Sequence, residues 1–89
     1  MKNNEFVTAR PHTRLTTGEV ISMLRELKGW TQNELARRSK ISATNISLLE
    51  NGRVDIGKKR AEQLARAFNV HPATIMFPEY ESLEILKAA

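Results

Sequence analysis

A chain of 89 residues has room for one small domain whose core is only marginally self-sufficient, so no deep catalytic cleft is expected. The lack of cysteine excludes a disulfide framework and a thiolate metal site, and no apolar run reaches the length of a signal peptide or a bilayer span. A formal charge of +4 favours an anionic partner; the expectation is a soluble cytoplasmic protein with no membrane contact.

Residues 1–14 lack periodicity, include Pro11 and read as a flexible basic arm. Arg10 and Arg14 within it are either minor-groove contacts of the kind basic arms make or part of a solvated tail. Helix starts then recur with one pattern: an apolar residue, a capping residue, and a polar–apolar pair three and four positions after the cap. It occurs as Leu15-Thr16 with Glu19-Val20, as Trp30-Thr31 with Glu34-Leu35, and as Ile41-Ser42 with Asn45-Ile46. The first two read as capping boxes with a hydrophobic staple, and the third keeps cap and staple with Asn in place of Glu. Each cap is worth roughly 1 kcal/mol, because it satisfies backbone donors that a helix start leaves unpaired.

Gly29 and Gly52 mark helix stops. A fourth helix follows Gly57, with Ala61, Leu64, Ala65 and Phe68 spaced to bury one face. Val70-His71-Pro72 opens a short fifth through Ile75, Met76 and Phe77, with Pro72 at the favoured first position and Pro78 as the stop. The spacing predicts helices at 17–28, 31–39, 43–51, 58–68 and 72–77, an all-α, compact five-helix domain over residues 15–78. Residues 79–89 read as a short tail helix with Tyr80, Leu83 and Leu86 along one side. That stripe is too narrow to be stable alone, which suits a dimerisation or partner segment. Charge is uneven along the chain. Residues 17–60 hold nine cations against five anions, while residues 61–89 hold two against four.

The second and third helices carry the chemistry. Leu35, Ala36, Ile41, Ile46 and Leu49 are the apolar positions that would lock them together, with Ala36 small enough for close approach. At about 100° per residue, turning Ile46 and Leu49 inward leaves Thr44, Ser47, Leu48 and Asn51 outward, with Ala43 at the tip beside the cap Ser42. Such small side chains let a helix backbone lie deep in a DNA major groove. Thr, Ser and Asn can exchange hydrogen bonds with base edges, and Ala43, the Thr44 methyl and Leu48 can meet thymine methyls. Leu48 equally fits a cap over a neighbouring loop. Lys58, Lys59 and Arg60 occupy the first turn of the fourth helix, where the helix dipole disfavours cations. A docked phosphate reverses that sign; the alternative is three side chains splayed into solvent. Arg37, Arg38 and Lys40 form a solvated face or, for Arg38 and Lys40, backbone contacts.

The remaining candidates are structural. Trp30 is a staple rather than a stacking platform, and His71 is a cap beside Pro72. His12 and His71 have no ligand partners at metal spacing, so neither a metal nor another cofactor is expected. Ser42 and Ser47 lack a nearby His–acid pair, so no enzyme is expected.

Residues 32–51, QNELARRSKISATNISLLEN, resemble the helix-turn-helix of the Xre/Cro-repressor-like family, and the resemblance runs from about Leu15 to Pro78. It implies a repressor-like DNA-binding domain. By resemblance, Gln32 grips backbone phosphate and braces the recognition helix, Thr31 adds a hydroxyl, and Ala43, Thr44, Ser47 and Leu48 contact bases. The Asn51-Gly52-Arg53 loop matches the stretch that offers phosphate donors. One position departs: the turn usually carries Gly, and here it is Lys40, at a cost of about 1 kcal/mol for a left-handed residue.

Two functions follow. The first is a sequence-specific double-stranded-DNA regulator, a repressor by expectation, acting as a homodimer with recognition helices about 34 Å apart on a palindromic operator. The alternative is an antitoxin that binds a toxin protein through the tail or the arm and autoregulates its operon.

Overall fold

The computed structural model describes residues 15–78. The basic arm (1–14) and the tail (79–89), with Arg10, His12 and Arg14, lie outside the described residues. Five helices follow in order: α1 Thr17–Leu27, α2 Gln32–Ser39, α3 Ala43–Glu50, α4 Lys58–Phe68 and α5 Pro72–Met76. Each boundary falls within one residue of the expected one, and no strand occurs among the described residues. None of these helices is long and apolar enough to cross a membrane.

Local chemistry explains the starts. Thr16 Oγ1 accepts from the Glu19 amide at 3.1 Å while the Glu19 carboxylate accepts from the Thr16 amide at 2.9 Å, a complete capping box. Thr31 and Ser42 cap α2 and α3 by accepting from Glu34 N at 3.0 Å and Asn45 N at 3.1 Å. The second capping box is only half formed. Glu34 Oε2 accepts from Arg37 Nη2 at 2.5 Å and Arg38 Nε at 2.6 Å, and two guanidinium groups outcompete one neutral backbone amide for a carboxylate. Gly57 gives α4 no side-chain cap. His71 Nδ1 accepts from Ala73 N at 3.0 Å, so this histidine caps α5 ahead of Pro72.

The core is drawn from every helix. Val20 and Ile21, Leu35, Ile46 and Leu49, the four α4 residues Ala61, Leu64, Ala65 and Phe68, and Ile75 are buried, with Ile41 joining them from the turn. Each fully buried Leu, Ile or Phe contributes about 1.5–3 kcal/mol relative to exposure. Ala36 is half-buried and packs against this cluster. Trp30 lies against its rim, its ring stacked on Phe68 with centroids 5.7 Å apart and the Arg38 guanidinium 4.3 Å from the ring centroid.

α3 packs on both α1 and α2, and two contacts fix how the start of α1 sits. Thr17 Oγ1 donates to the Ile75 carbonyl at 3.1 Å, tying the start of α1 to α5. Gly18 faces the far end of α3, where a Cβ would stand 2.5 Å from the carbonyl oxygens of both Leu49 and Glu50. Glycine is required at this point because the obstacle is backbone, which cannot swing aside.

Candidate nucleic-acid interface

The turn between α2 and α3 sets the angle at which α3 stands out. Lys40 adopts φ 67° and ψ 23°, and its amide donates to the Ala36 carbonyl at 2.9 Å, closing the left-handed cap that ends α2. Ser39, only 2% exposed, accepts from the Ile41 amide through its hydroxyl at 3.2 Å. The Ser39 carbonyl accepts from Gln63 Nε2 at 3.3 Å, so α4 holds the turn from behind. Neither Ser39 nor Gln63 was among the expected site residues. A serine whose side chain can bond the backbone two positions on was the available signal for Ser39.

The third helix divides by face. Ile46 and Leu49 are 0% and 2% exposed. Around the other side Thr44 and Asn51 are exposed, while Ala43, Ser47 and Leu48 are half-buried. Asn51 Nδ2 donates to the Ser47 carbonyl at 2.9 Å and reaches its hydroxyl at 3.4 Å, so the Asn51 amide folds back along the helix.

The C-terminal end of α3 is clamped. Glu50 accepts from Arg25 Nε at 2.7 Å and Arg25 Nη2 at 3.1 Å, a two-pronged pair with side chains 7% and 15% exposed. Arg25 Nη1 also donates to the Trp30 carbonyl at 2.9 Å. Its hydrogen bonds to Glu50 hold Arg25 above the ordinary arginine value, against the opposing effect of burial. Gln32 Nε2 donates to the same carboxylate at 3.0 Å. The start of α2 therefore braces the end of α3 directly, and the second amide hydrogen of Gln32 is left for another acceptor. Arg25 and Glu50 escaped sequence reasoning because the pair spans 25 positions and shares no local pattern.

The cations sort by occupancy. Arg37 and Arg38 are both engaged with Glu34, whose carboxyl is pulled down to about 2 by hydrogen bonds from Arg37 first and Arg38 second. Lys40, Arg53, Lys58, Lys59 and Arg60 make no ion pair among the described residues; Arg60 is half-buried and the rest are exposed. The cap Thr31 is exposed, with its hydroxyl proton still available to an acceptor. Packing brings the start of α4 beside the start of α3, where Lys59 and Arg60 share an open concavity with Lys40, Ser42, Asn45 and Gln63.

This arrangement, two short helices locked across a left-handed turn with one polar flank standing clear, is matched over residues 21–75 by the helix-turn-helix family model. The chain belongs to the Xre/Cro-like helix-turn-helix family of DNA-binding transcription regulators. A competence pilus inhibition repressor from Acinetobacter baylyi is 46% identical over 52 residues, covering 58% of this chain and 47% of that protein. A Neisseria hypothetical transcription factor from Neisseria meningitidis serogroup B is 33% identical over 64 residues, covering 72% of this chain and 60% of that protein. The crystal structure of the hypothetical transcription factor NHTF from Neisseria superposes with a TM-score of 0.71 at 28% identity, over 84% of this chain and 90% of that one. The chain spans about half the length of the curated relatives it matches.

Proposed function

We propose that this protein is a transcriptional repressor that binds double-stranded DNA sequence-specifically, as a homodimer on a palindromic operator. The observation that carries the reading is the division of α3: one face is sealed into the core, while Thr44 stands exposed on the other beside Ala43, Ser47 and Leu48. In this reading α3 enters the major groove. The Thr44 and Ser47 hydroxyls bond base edges, and Ala43 and Leu48 meet thymine methyls. Phosphate contacts come from Thr31, Gln32, Asn51, Arg53, Lys58, Lys59 and Arg60, which fix register without reading sequence. The similarity to a repressor and to a hypothetical transcription factor supports a regulator over an antitoxin. In this reading the tail (79–89) serves as a dimerisation or partner segment, and the complex forms in the cytoplasm.

Selecting bound sites from random duplex DNA, then weighing the complex, tests this directly. A symmetric motif bound by two chains is expected, with log K falling against log salt by about 0.9 for each phosphate neutralised. Recovery of no motif at low salt would overturn the reading.

A further inference from the structure

Lys40 holds an unfavourable backbone conformation at the centre of the helix-turn-helix. Its φ of 67° is left-handed, a region that residues other than Gly, Asn and Asp enter only against steric resistance. Asn69, the other non-glycine residue there among those described, is of a tolerated type. The Lys40 side chain is exposed and makes no ion pair among the described residues, whereas Arg37 and Arg38 of the same helix are both held by Glu34. As a cation at the C-cap of α2, Lys40 gains from the helix dipole, but that gain is available to a lysine one turn earlier without the left-handed backbone.

The surroundings explain why it stands at the turn itself. Lys40, Lys59 and Arg60 line one open concavity of about 350 Å³, together with Ser42, Asn45 and Gln63, and no carboxylate lines it. Three cations from two separate elements around one space repel each other unless an anion sits among them. Ser42 and Asn45 belong to the cap and first turn of α3, so an anion seated here lies against the end of the recognition helix. Both a free phosphate and the duplex backbone supply such an anion, and the position beside α3 favours the backbone.

We infer that this concavity seats one backbone phosphodiester of the bound duplex, gripped by Lys40 from the turn and by Lys59 and Arg60 from α4. The inference rests on the DNA-binding reading above and adds Lys40 to its contacts. It also gives the left-handed lysine a reason: the residue weakens the free fold and strengthens the complex. A glycine would relax the turn and remove one of the three cations.

The test compares the full chain with its Lys40→Gly, Lys40→Gln and Lys40→Arg variants on a duplex the parent chain binds. Lys40→Gly should raise the thermal unfolding midpoint by a few degrees. It should also weaken binding on the order of fivefold, to specific and random duplexes alike, and reduce the salt slope by about 0.9. Lys40→Gln should weaken binding equally with no gain in midpoint, and Lys40→Arg should restore it. An unchanged salt slope in Lys40→Gly and Lys40→Gln would overturn the inference and leave the DNA reading standing. A rise in the parent midpoint with inorganic phosphate at matched ionic strength, absent in Lys40→Gln, together with duplex binding that Lys40→Gln leaves unchanged, would overturn the assignment to the duplex backbone. Failure of the parent chain to bind any duplex would overturn the DNA reading itself, and this inference with it.

Discussion

The two ends of the recognition helix are held in different ways. At its C-terminal end, Glu50 is locked by Arg25 and Gln32, and Gly18 lets α1 press against the carbonyls of residues 49 and 50. At its N-terminal end it is tied by the Ser42 cap and by the turn that Ser39 and Gln63 hold, and beside these ties lie the exposed Thr44 flank and a basic concavity. A helix held at both ends and through its inner face can present its outer flank without burying it. The clamp acts through Glu50 and the backbone of residues 49 and 50, so Thr44 on the outward flank can vary with little effect on the core.

The clamped end should be the sensitive one. Gly18→Ala carries the largest expected effect. A methyl 2.5 Å from two backbone oxygens forces α1 away from α3, at about 3 kcal/mol, the upper range for overpacking. Chemical denaturation should read it as a lowered midpoint. Glu50→Gln comes next, at about 2 kcal/mol. It leaves the Arg25 guanidinium, 15% exposed, without its charge partner, and partial solvation discounts the full penalty for a broken buried pair. Should either variant unfold at the parent midpoint, the clamp is not what holds α3.

Changes on the outward flank and in the concavity beside it should spare stability and alter binding. Thr44→Ala is expected to relax base preference by roughly 1 kcal/mol at one or two operator positions, while Lys59→Ala weakens all sequences alike. Quantitative binding to a panel of single-base operator variants separates the two. The smallest effect concerns Glu34, on the outer face of α2. Its carboxyl lies at about 2, below its ordinary value of 4.5, through hydrogen bonds from Arg37 and Arg38. A depressed carboxyl stabilises the fold fully above its ordinary value, and that contribution disappears as pH falls from 4.5 through about 2. The midpoint difference between the parent chain and Glu34→Gln should therefore shrink across that window. It should also shrink in high salt, since the pair is exposed.

The same contrast explains what was legible in the sequence. Helix starts and stops were, because caps and C-terminal turns are set by residues three or four positions apart; Thr16, Ser42 and His71 each sit where that local chemistry puts them. The Thr31 capping box stays incomplete for a reason of the same range, since Arg37 and Arg38 compete for the carboxylate that would complete it. The outward side of α3 followed from helical geometry once Ile46 and Leu49 were turned inward. The clamp did not. Arg25 meets Glu50 only through tertiary packing, and Gly18 is defined by backbone atoms that leave no mark on residue type. Lys40 lay between the two cases: the turn was visible as a departure from glycine, but its place beside Lys59 and Arg60 needed the fold.

The claim at the centre is that the outward flank of α3, through Thr44 and Ser47, reads base edges. Site selection from random duplexes with the parent chain and a Thr44→Ala, Ser47→Ala double variant tests it most directly. The account predicts a motif degraded at a few adjacent positions in each half-site, with unfolding midpoint and affinity for random DNA retained. An identical motif from both proteins would contradict it.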